Sequence, residues 1–185
     1  MKRITMIFGS PRKFANSETL AEAFVSSFSQ AVEIDRFRTS EMNIRGCMDC
    51  RECWTGGKPC IIEDEMDSIY GSLCEADLII FATPLYWFSW SAQIKPVIDR
   101  LLPFMSDDAL TELNGKKAVL IASAGDEDES CYDGLKFSFR ESCSLLGLQV
   151  EGEFCKTGLY PKNSAACKPE LIKEIRDAGK SIFNH

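Results

Sequence analysis

The sequence predicts a single α/β domain, a doubly wound five-stranded parallel sheet flanked by helices. Three observations carry this. Short apolar runs alternate with helix-period segments along 185 residues, a length usual for one domain. Leu78-Ile79-Ile80-Phe81 and most of Lys117–Ser123 are continuously apolar, as strands covered on both faces are. No repeat, low-complexity tract or Pro/Gly-rich linker divides the chain, so residues 1–185 read as one unit.

The first strand is Lys2–Phe8, ended by Gly9. Residues 17–30 follow as a helix, with Leu20, Phe24 and Phe28 four apart and Ala21 and Val25 beside them. Asn16 or Ser17 is the expected cap, and Glu18 suits the positive end of the helix dipole. Residues 31–37 form the second strand. The irregular stretch 39–64 holds four cysteines, and 41–64 reads as a cysteine-rich insertion after that strand. A short helix over 65–74 leads to the third strand, 76–82. A helix near 93–102 tolerates Pro96 only in its first turn. Lys117–Ser123 is the fourth strand. Residues 131–146 carry a helical stripe of Leu135, Phe139, Cys143 and Leu146, stopped by Gly147. The last strand is 149–154. The C-terminal segment, 165–185, contains the helix Pro169–Phe183, with Leu171, Ile175, Ala178 and Ile182 on one face.

Composition removes several function classes. The chain has 28 acidic and 21 basic residues, a net charge of -7, and no basic patch. Nucleic-acid binding, which needs Lys and Arg to neutralise phosphates, is not expected. No window approaches the ~18 apolar residues of a membrane span. The run after Lys2-Arg3 is too short for a signal peptide and leads into Gly9-Ser10-Pro11-Arg12. A cytoplasmic protein is expected. The one histidine, His185, is the last residue, which argues against a histidine-based triad or zinc site. In a reducing compartment, nine cysteines suggest metal or redox chemistry before disulfides.

In this architecture ligands sit beyond the carboxyl ends of the strands, where strand order reverses. Three loops qualify: 9–16, 83–90 and 123–130. The first runs from Gly9-Ser10-Pro11-Arg12 to a helix start at Asn16-Ser17. Its N–H groups and the helix dipole favour an anion. Ser10 and Ser17 supply hydroxyls, Asn16 an amide and Arg12 a fixed charge, a set suited to a phosphate monoester. A plain Ser-Pro turn with a capped helix is the alternative. The loop is neither a P-loop nor a dinucleotide fingerprint. It also lacks the C-x5-R of low-molecular-weight phosphatases and the acidic cluster of receiver domains. The second loop, Thr83-Pro84-Leu85-Tyr86-Trp87-Phe88-Ser89-Trp90, offers aromatics for a planar heteroaromatic ring. Filling core or a subunit interface is the other reading, and the one favoured for Trp90. Ser123-Ala124-Gly125 lets backbone approach such a ring, while the acidic run 126–129 reads as solvated surface.

Taken together, Gly9-Ser10-Pro11-Arg12 with Asn16-Ser17, Pro84-Leu85-Tyr86-Trp87 and Lys95-Pro96-Val97-Ile98-Asp99-Arg100 resemble the NADPH-dependent FMN reductase family, from Lys2 to about Phe154. The resemblance implies a flavodoxin-like fold with FMN, its phosphate on Ser10, Arg12, Asn16 and Ser17. The isoalloxazine would lie against Pro84, Leu85, Tyr86, Trp87 and Phe88, and against Ser123, Ala124 and Gly125. It also implies a homodimer or homotetramer, with the Arg100 helix helping form a subunit contact. Lys95 and Asp99, four apart, otherwise make a surface ion pair.

Cys47-x2-Cys50-x2-Cys53-x6-Cys60 is the sharpest feature. Its first three members repeat the bacterial ferredoxin triplet, which folds thiolates toward one metal face. Gly56-Gly57 and Pro59 offer a turn that returns Cys60 as a fourth ligand, although x6 is not a ferredoxin gap. The spacing resembles the iron-sulfur flavoprotein branch, which implies a 4Fe-4S cluster on Cys47, Cys50, Cys53 and Cys60. Zinc, free thiols and labile disulfides remain alternatives; zinc sites usually come as separated C-x2-C knuckles. Cys74, Cys131, Cys143, Cys155 and Cys167 form no second set. Cys143 reads as core; Cys131 follows the third loop, and a place beside a flavin is the less favoured of its two readings.

The expected function is an FMN-dependent NAD(P)H oxidoreductase or electron-transfer flavoprotein. NAD(P)H is the cosubstrate, an unnamed acceptor takes the electrons, and the cysteine centre relays them. No protein nucleophile is expected, since the cofactor carries the chemistry. The alternative is a flavin-containing redox sensor or electron carrier whose cysteine loop is a thiol switch or zinc site.

Overall fold

The computed structural model describes residues 1–29, 31–55, 59–105 and 113–183. Gln30, the Gly56-Gly57 turn and His185, each invoked above, lie outside the described residues. Five strands form one parallel sheet: β1 (Lys2–Phe8), β2 (Val32–Arg38), β3 (Leu78–Pro84), β4 (Lys117–Ser123) and β5 (Gln149–Lys156). Their order is β2-β1-β3-β4-β5. The chain winds from β1 outward to β2, then returns to place β3 on the other side of β1. Winding direction therefore reverses between β1 and β3.

Among the described residues, helices α1 (Asn16–Val25), α2 (Met66–Glu75), α3 (Lys95–Asp99), α4 (Asp133–Leu145) and α5 (Pro169–Phe183) cover the two faces. The period of two along β1 assigns its residues to opposite faces. Ile4, Met6 and Phe8 pack with Leu20 and Phe24 of α1 and Ile175 of α5. Ile7 packs on the other face, with Met66, Ile69 and Leu73 of α2 and Leu135 and Phe139 of α4. Each such buried side chain contributes about 1.5–3 kcal/mol relative to exposure. Among the described residues, no helix is long and apolar enough to cross a membrane.

Two elements, α1 and α3, differ from the sequence expectation. Helix α1 ends at Val25 because the hydroxyls of Ser26 and Ser27 donate to the carbonyls of Ala23 and Phe24, competing with the helical ladder. Phe28 still packs edge-on against Phe24 at 5.6 Å. Neither Asn16 nor Ser17 caps α1; the N-cap is Ala15, in extended conformation and without a side-chain bond. Helix α3 is only five residues long, with Pro96 in its first turn, and a 3-10 turn, Leu102–Met105, follows it.

Helices α1 and α5 approach closely at Gly179, where a Cβ would strike the Phe24 carbonyl and the Ser27 hydroxyl. Gly179→Ala is expected to lower the unfolding free energy by about 1–3 kcal/mol through overpacking. Urea melts of the two proteins check this, and coincident midpoints would show that the helices part freely.

Candidate functional site

The loops that follow β1, β3, β4 and β5 meet at the carboxyl edge of the sheet, over the β1/β3 reversal. They enclose a cleft of about 200 Å³. Of the residues expected there, Ser10, Arg12, Asn16, Pro84, Leu85, Tyr86, Ser123, Ala124 and Gly125 line it. Ala15, Leu159, Tyr160 and Lys162 line it as well. The last three belong to the segment after β5, which no motif marked.

The β1 loop is held by the chain itself. Phe14 adopts a left-handed conformation (φ 55°), and its N–H donates to the Glu18 carboxylate at 3.0 Å. Arg38 of β2 binds the same carboxylate. Ser10 Oγ accepts the Arg12 N–H at 3.1 Å. At a helix start the first N–H groups have no intrahelical partner, so the α1 terminus presents donors here. Ser17 stands at that terminus, buried, and its Oγ has no hydrogen-bond partner. The side chain of Asn16 is committed elsewhere. It donates to the carbonyls of Leu159 and Pro161 at 2.8 and 2.9 Å and accepts the Ala165 N–H at 3.0 Å. Asn16 thereby fixes the post-β5 segment against the first loop, so its amide is not free for the anion role expected of it, and Ser17, unlike Ser10 and Arg12, is not among the residues that line the cleft.

The opposite wall is flat and small. Leu85 N–H bonds the Ser123 carbonyl at 2.9 Å, and Leu159 N–H bonds the Ala124 carbonyl at 2.8 Å. A Cβ on Gly125 would lie 2.7 Å from the Tyr160 ring, so glycine lets that ring close on the backbone. Tyr86 and Ser89 exchange hydrogen bonds around a tight turn whose central residues, Trp87 and Phe88, have φ of 47° and 62°. Left-handed aromatic residues cost of order 1–3 kcal/mol each, and such strain clusters at functional sites. Trp87 is 94% exposed and Phe88 59%. These two line a wider pocket of about 420 Å³ that opens beside the cleft, shared with Leu85, Tyr86, Ala124, Gly125, Asp126 and Cys131. Trp90 turns inward instead. It packs against Phe81 and Phe139, and its indole N–H donates to Ser138 Oγ at 2.9 Å.

The cysteines divide by environment. Burial pushes the Cys143 and Cys155 thiols up to about 12, which keeps both protonated. Cys131 is also raised, by burial first and then by Asp126 and Asp128. Cys47, Cys50, Cys53 and Cys60, by contrast, line one pocket floored by Ile62, Tyr70, Leu102 and Pro103. Asp49 and Arg51, on either side of Cys50, take left-handed conformations (φ 51° and 63°). The Asp49 N–H lies 3.4 Å from the Cys47 sulfur. Burial raises the Cys53 thiol first, and the charges of Cys60, Cys50 and Cys47 raise it further. Among the described residues, no three His, Cys, Asp or Glu side chains already stand in metal-holding geometry. Arg100, which the resemblance assigned to a subunit contact, is buried within the chain, while Lys95 and Asp99 make the expected i,i+4 pair at 2.5 Å.

The family model described as NADPH-dependent FMN reductase matches residues 2–139. An iron-sulfur flavoprotein of Archaeoglobus fulgidus is 32% identical over 124 residues, 66% of this chain and 56% of that protein. Another iron-sulfur flavoprotein, of Methanocaldococcus jannaschii, is 33% identical over 185 residues, 97% of this chain and 95% of that protein. The chain thus spans just over half the length of the first relative and nearly all of the second. The NAD(P)H:quinone oxidoreductase of Methanothermobacter marburgensis superposes with a TM-score of 0.73 at 21% identity, over 99% of this chain and 96% of that one, a likeness of fold. With a five-stranded parallel sheet of order β2-β1-β3-β4-β5 and the family match over three quarters of its length, the chain belongs to the NADPH-dependent FMN reductase family of flavodoxin-like oxidoreductases.

Proposed function

We propose that the protein is an FMN-dependent NAD(P)H oxidoreductase that passes electrons through a 4Fe-4S cluster to an acceptor. The observation that carries this is the convergence, at the β1/β3 reversal, of a donor-rich helix start with a flat, small-residue wall. In this reading Ser10, Arg12, Ser17 and the N–H groups at Asn16 hold the FMN phosphate. The orphaned Ser17 hydroxyl fits an anion acceptor, because a buried donor left unpaired is costly. Pro84, Leu85, Tyr86, Trp87 and Phe88 take one side of the ring, and Ser123, Ala124 and Gly125 approach it through backbone. Tyr160, packed on Gly125, borders that edge from the segment after β5. The open pocket beside Trp87 admits the nicotinamide.

Cys47, Cys50, Cys53 and Cys60 fit a cluster in number and chemistry. They share one pocket, and an N–H faces the Cys47 sulfur, as amides around bound thiolates do. FMN held here would supply hydride acceptance and one- or two-electron release, and a cluster on these cysteines would supply one-electron carriage. The residues bind, orient and shield. A homodimer or homotetramer completes the proposal, with the strained Trp87-Phe88 turn exposed for contact.

The test is anaerobic purification with visible spectra and assays for FMN, iron and sulfide. One FMN and about four irons per chain are expected, with NAD(P)H bleaching the flavin. Cys53→Ser is expected to lose the iron and keep the FMN. A colourless protein holding zinc, or one that refuses FMN after reconstitution, would overturn the reading. Yellow protein without iron would remove the cluster alone and leave a thiol-based sensor or carrier.

A further inference from the structure

The neck of the cysteine loop is closed by one residue from outside it. Arg100 lies just past the end of α3 and is 1% exposed. Its Nη1 donates to the Arg45 carbonyl at 3.2 Å and to the two Asp64 carboxylate oxygens at 2.8 and 2.6 Å. Its Nη2 donates to the Ile62 carbonyl at 3.1 Å. Arg45 stands two residues before Cys47, and Ile62 two residues after Cys60. A single guanidinium therefore ties both ends of the four-cysteine segment to the domain. The Arg45 N–H also donates to Asp64, at 2.9 Å, closing the same neck from within. Farther along, the Trp54 indole N–H donates to the Leu102 carbonyl at 3.1 Å and tethers the loop a second time.

Arg100 has a second relation to the cysteines. It lines the pocket that Cys47, Cys50, Cys53 and Cys60 share. Its Nε–H is buried and has no acceptor. Buried donors in native proteins are almost always paired, so an orphan beside four thiols points to an acceptor that enters that pocket.

We propose that Arg100 is a positioning residue for the metal centre, holding the ends of the loop together before a cluster is built and presenting a buried positive charge to the sulfurs in the pocket. The proposal rests on the reading of these cysteines as cluster ligands. Two physical effects follow from it. A loop closed in advance pays less ordering entropy when it gathers its thiols. A fixed positive charge beside the cluster favours its reduced, more negative state and so raises its potential. Lysine keeps the charge but lacks the planar fork that reaches both ends of the loop.

The experiment compares full-length wild type, Arg100→Lys and Arg100→Met. In the metal-free, FMN-free proteins, chymotrypsin cleavage after Trp54 is followed by mass spectrometry, with cleavage after the exposed Trp87 as internal reference. Both variants are expected to be cut after Trp54 at least about tenfold faster, with cleavage after Trp87 unchanged, because losing the guanidinium fork that joins the two ends frees the neck locally. After reconstitution with iron and sulfide, redox titration is expected to place Arg100→Met at a more negative potential than wild type. Arg100→Lys is expected near wild type. Equal acceleration at both cleavage sites would mean general loosening and overturn the positioning role. Unchanged Trp54 cleavage together with an unchanged potential in Arg100→Met would overturn it too. If wild type takes up no iron, the cluster reading fails, while Trp54 cleavage still decides whether Arg100 closes the neck.

Discussion

Asp64→Ala is expected to lower the unfolding free energy by about 3–5 kcal/mol, a large share of the ~5–15 kcal/mol of a typical domain. The Asp64 and Arg100 side chains are each 1% exposed, so the substitution strands a guanidinium in the interior without its counter-charge. Burial by itself pushes the Asp64 carboxyl up. The Arg100 guanidinium, together with the N–H groups of Arg45 and Met66, outweighs burial and holds it below the usual carboxylate range. With the folded value below the unfolded one of ~3.9, the pair contributes fully above that pH. Its contribution is lost as pH falls through the lowered folded value. Urea melts across a pH series check the sign. The stability gap between wild type and Asp64→Asn is expected to be constant above about pH 5 and to shrink below about pH 4. A gap that stays constant into strong acid would mean that the charge on Asp64 does not hold the neck.

Ser17→Ala is expected to act with opposite signs on two measurements. In the FMN-free protein the Ser17 hydroxyl is buried and unpaired. Removing it is expected to leave stability unchanged or raise it by about 1 kcal/mol, since an unsatisfied buried hydroxyl costs ~1–3 kcal/mol and alanine suits a helix start. In the FMN-bound protein the same change removes a donor to a dianionic phosphate. Hydrogen bonds to charged groups are worth about 1.5–3 kcal/mol, so the FMN Kd is expected to rise roughly ten- to a hundredfold. Arg12→Ala is expected to weaken FMN similarly, with a stronger dependence on salt because Arg12 is exposed. Melting curves with and without FMN, joined to flavin-fluorescence titration, read both effects. Ser17→Ala that destabilises the FMN-free protein and leaves FMN affinity intact would place the phosphate elsewhere.

Much of this was legible from the chain. The strands and helices of the described residues follow from periodicities that a buried sheet and its covering helices impose on sequence, and each was expected within a few residues of its bounds except α1 and α3. Those two end early for local reasons, the serine hydroxyls after Val25 and the arginine-capped turn after Asp99, which hydrophobic period does not encode. The β1, β3 and β4 loops were legible because a parallel sheet of this winding can gather ligands at only one edge. Leu159, Tyr160 and Lys162 were not, because the segment after β5 carries no motif and reaches the cleft through the Asn16 amide.

Sequence alone determined the architecture and the four-cysteine spacing, because both are properties of near neighbours along the chain. Only the tertiary structure decided how those features are used. It committed the Asn16 side chain to the post-β5 segment and left the Ser17 hydroxyl buried without a partner. It turned Trp90 into the core and Trp87 out of it. It brought Arg100, far along the chain from Cys47, to the mouth of the cysteine loop. Each of these depends on which groups meet across the fold, and a buried hydrogen bond or ion pair is set by the three-dimensional position of its partner, on which spacing along the chain is silent.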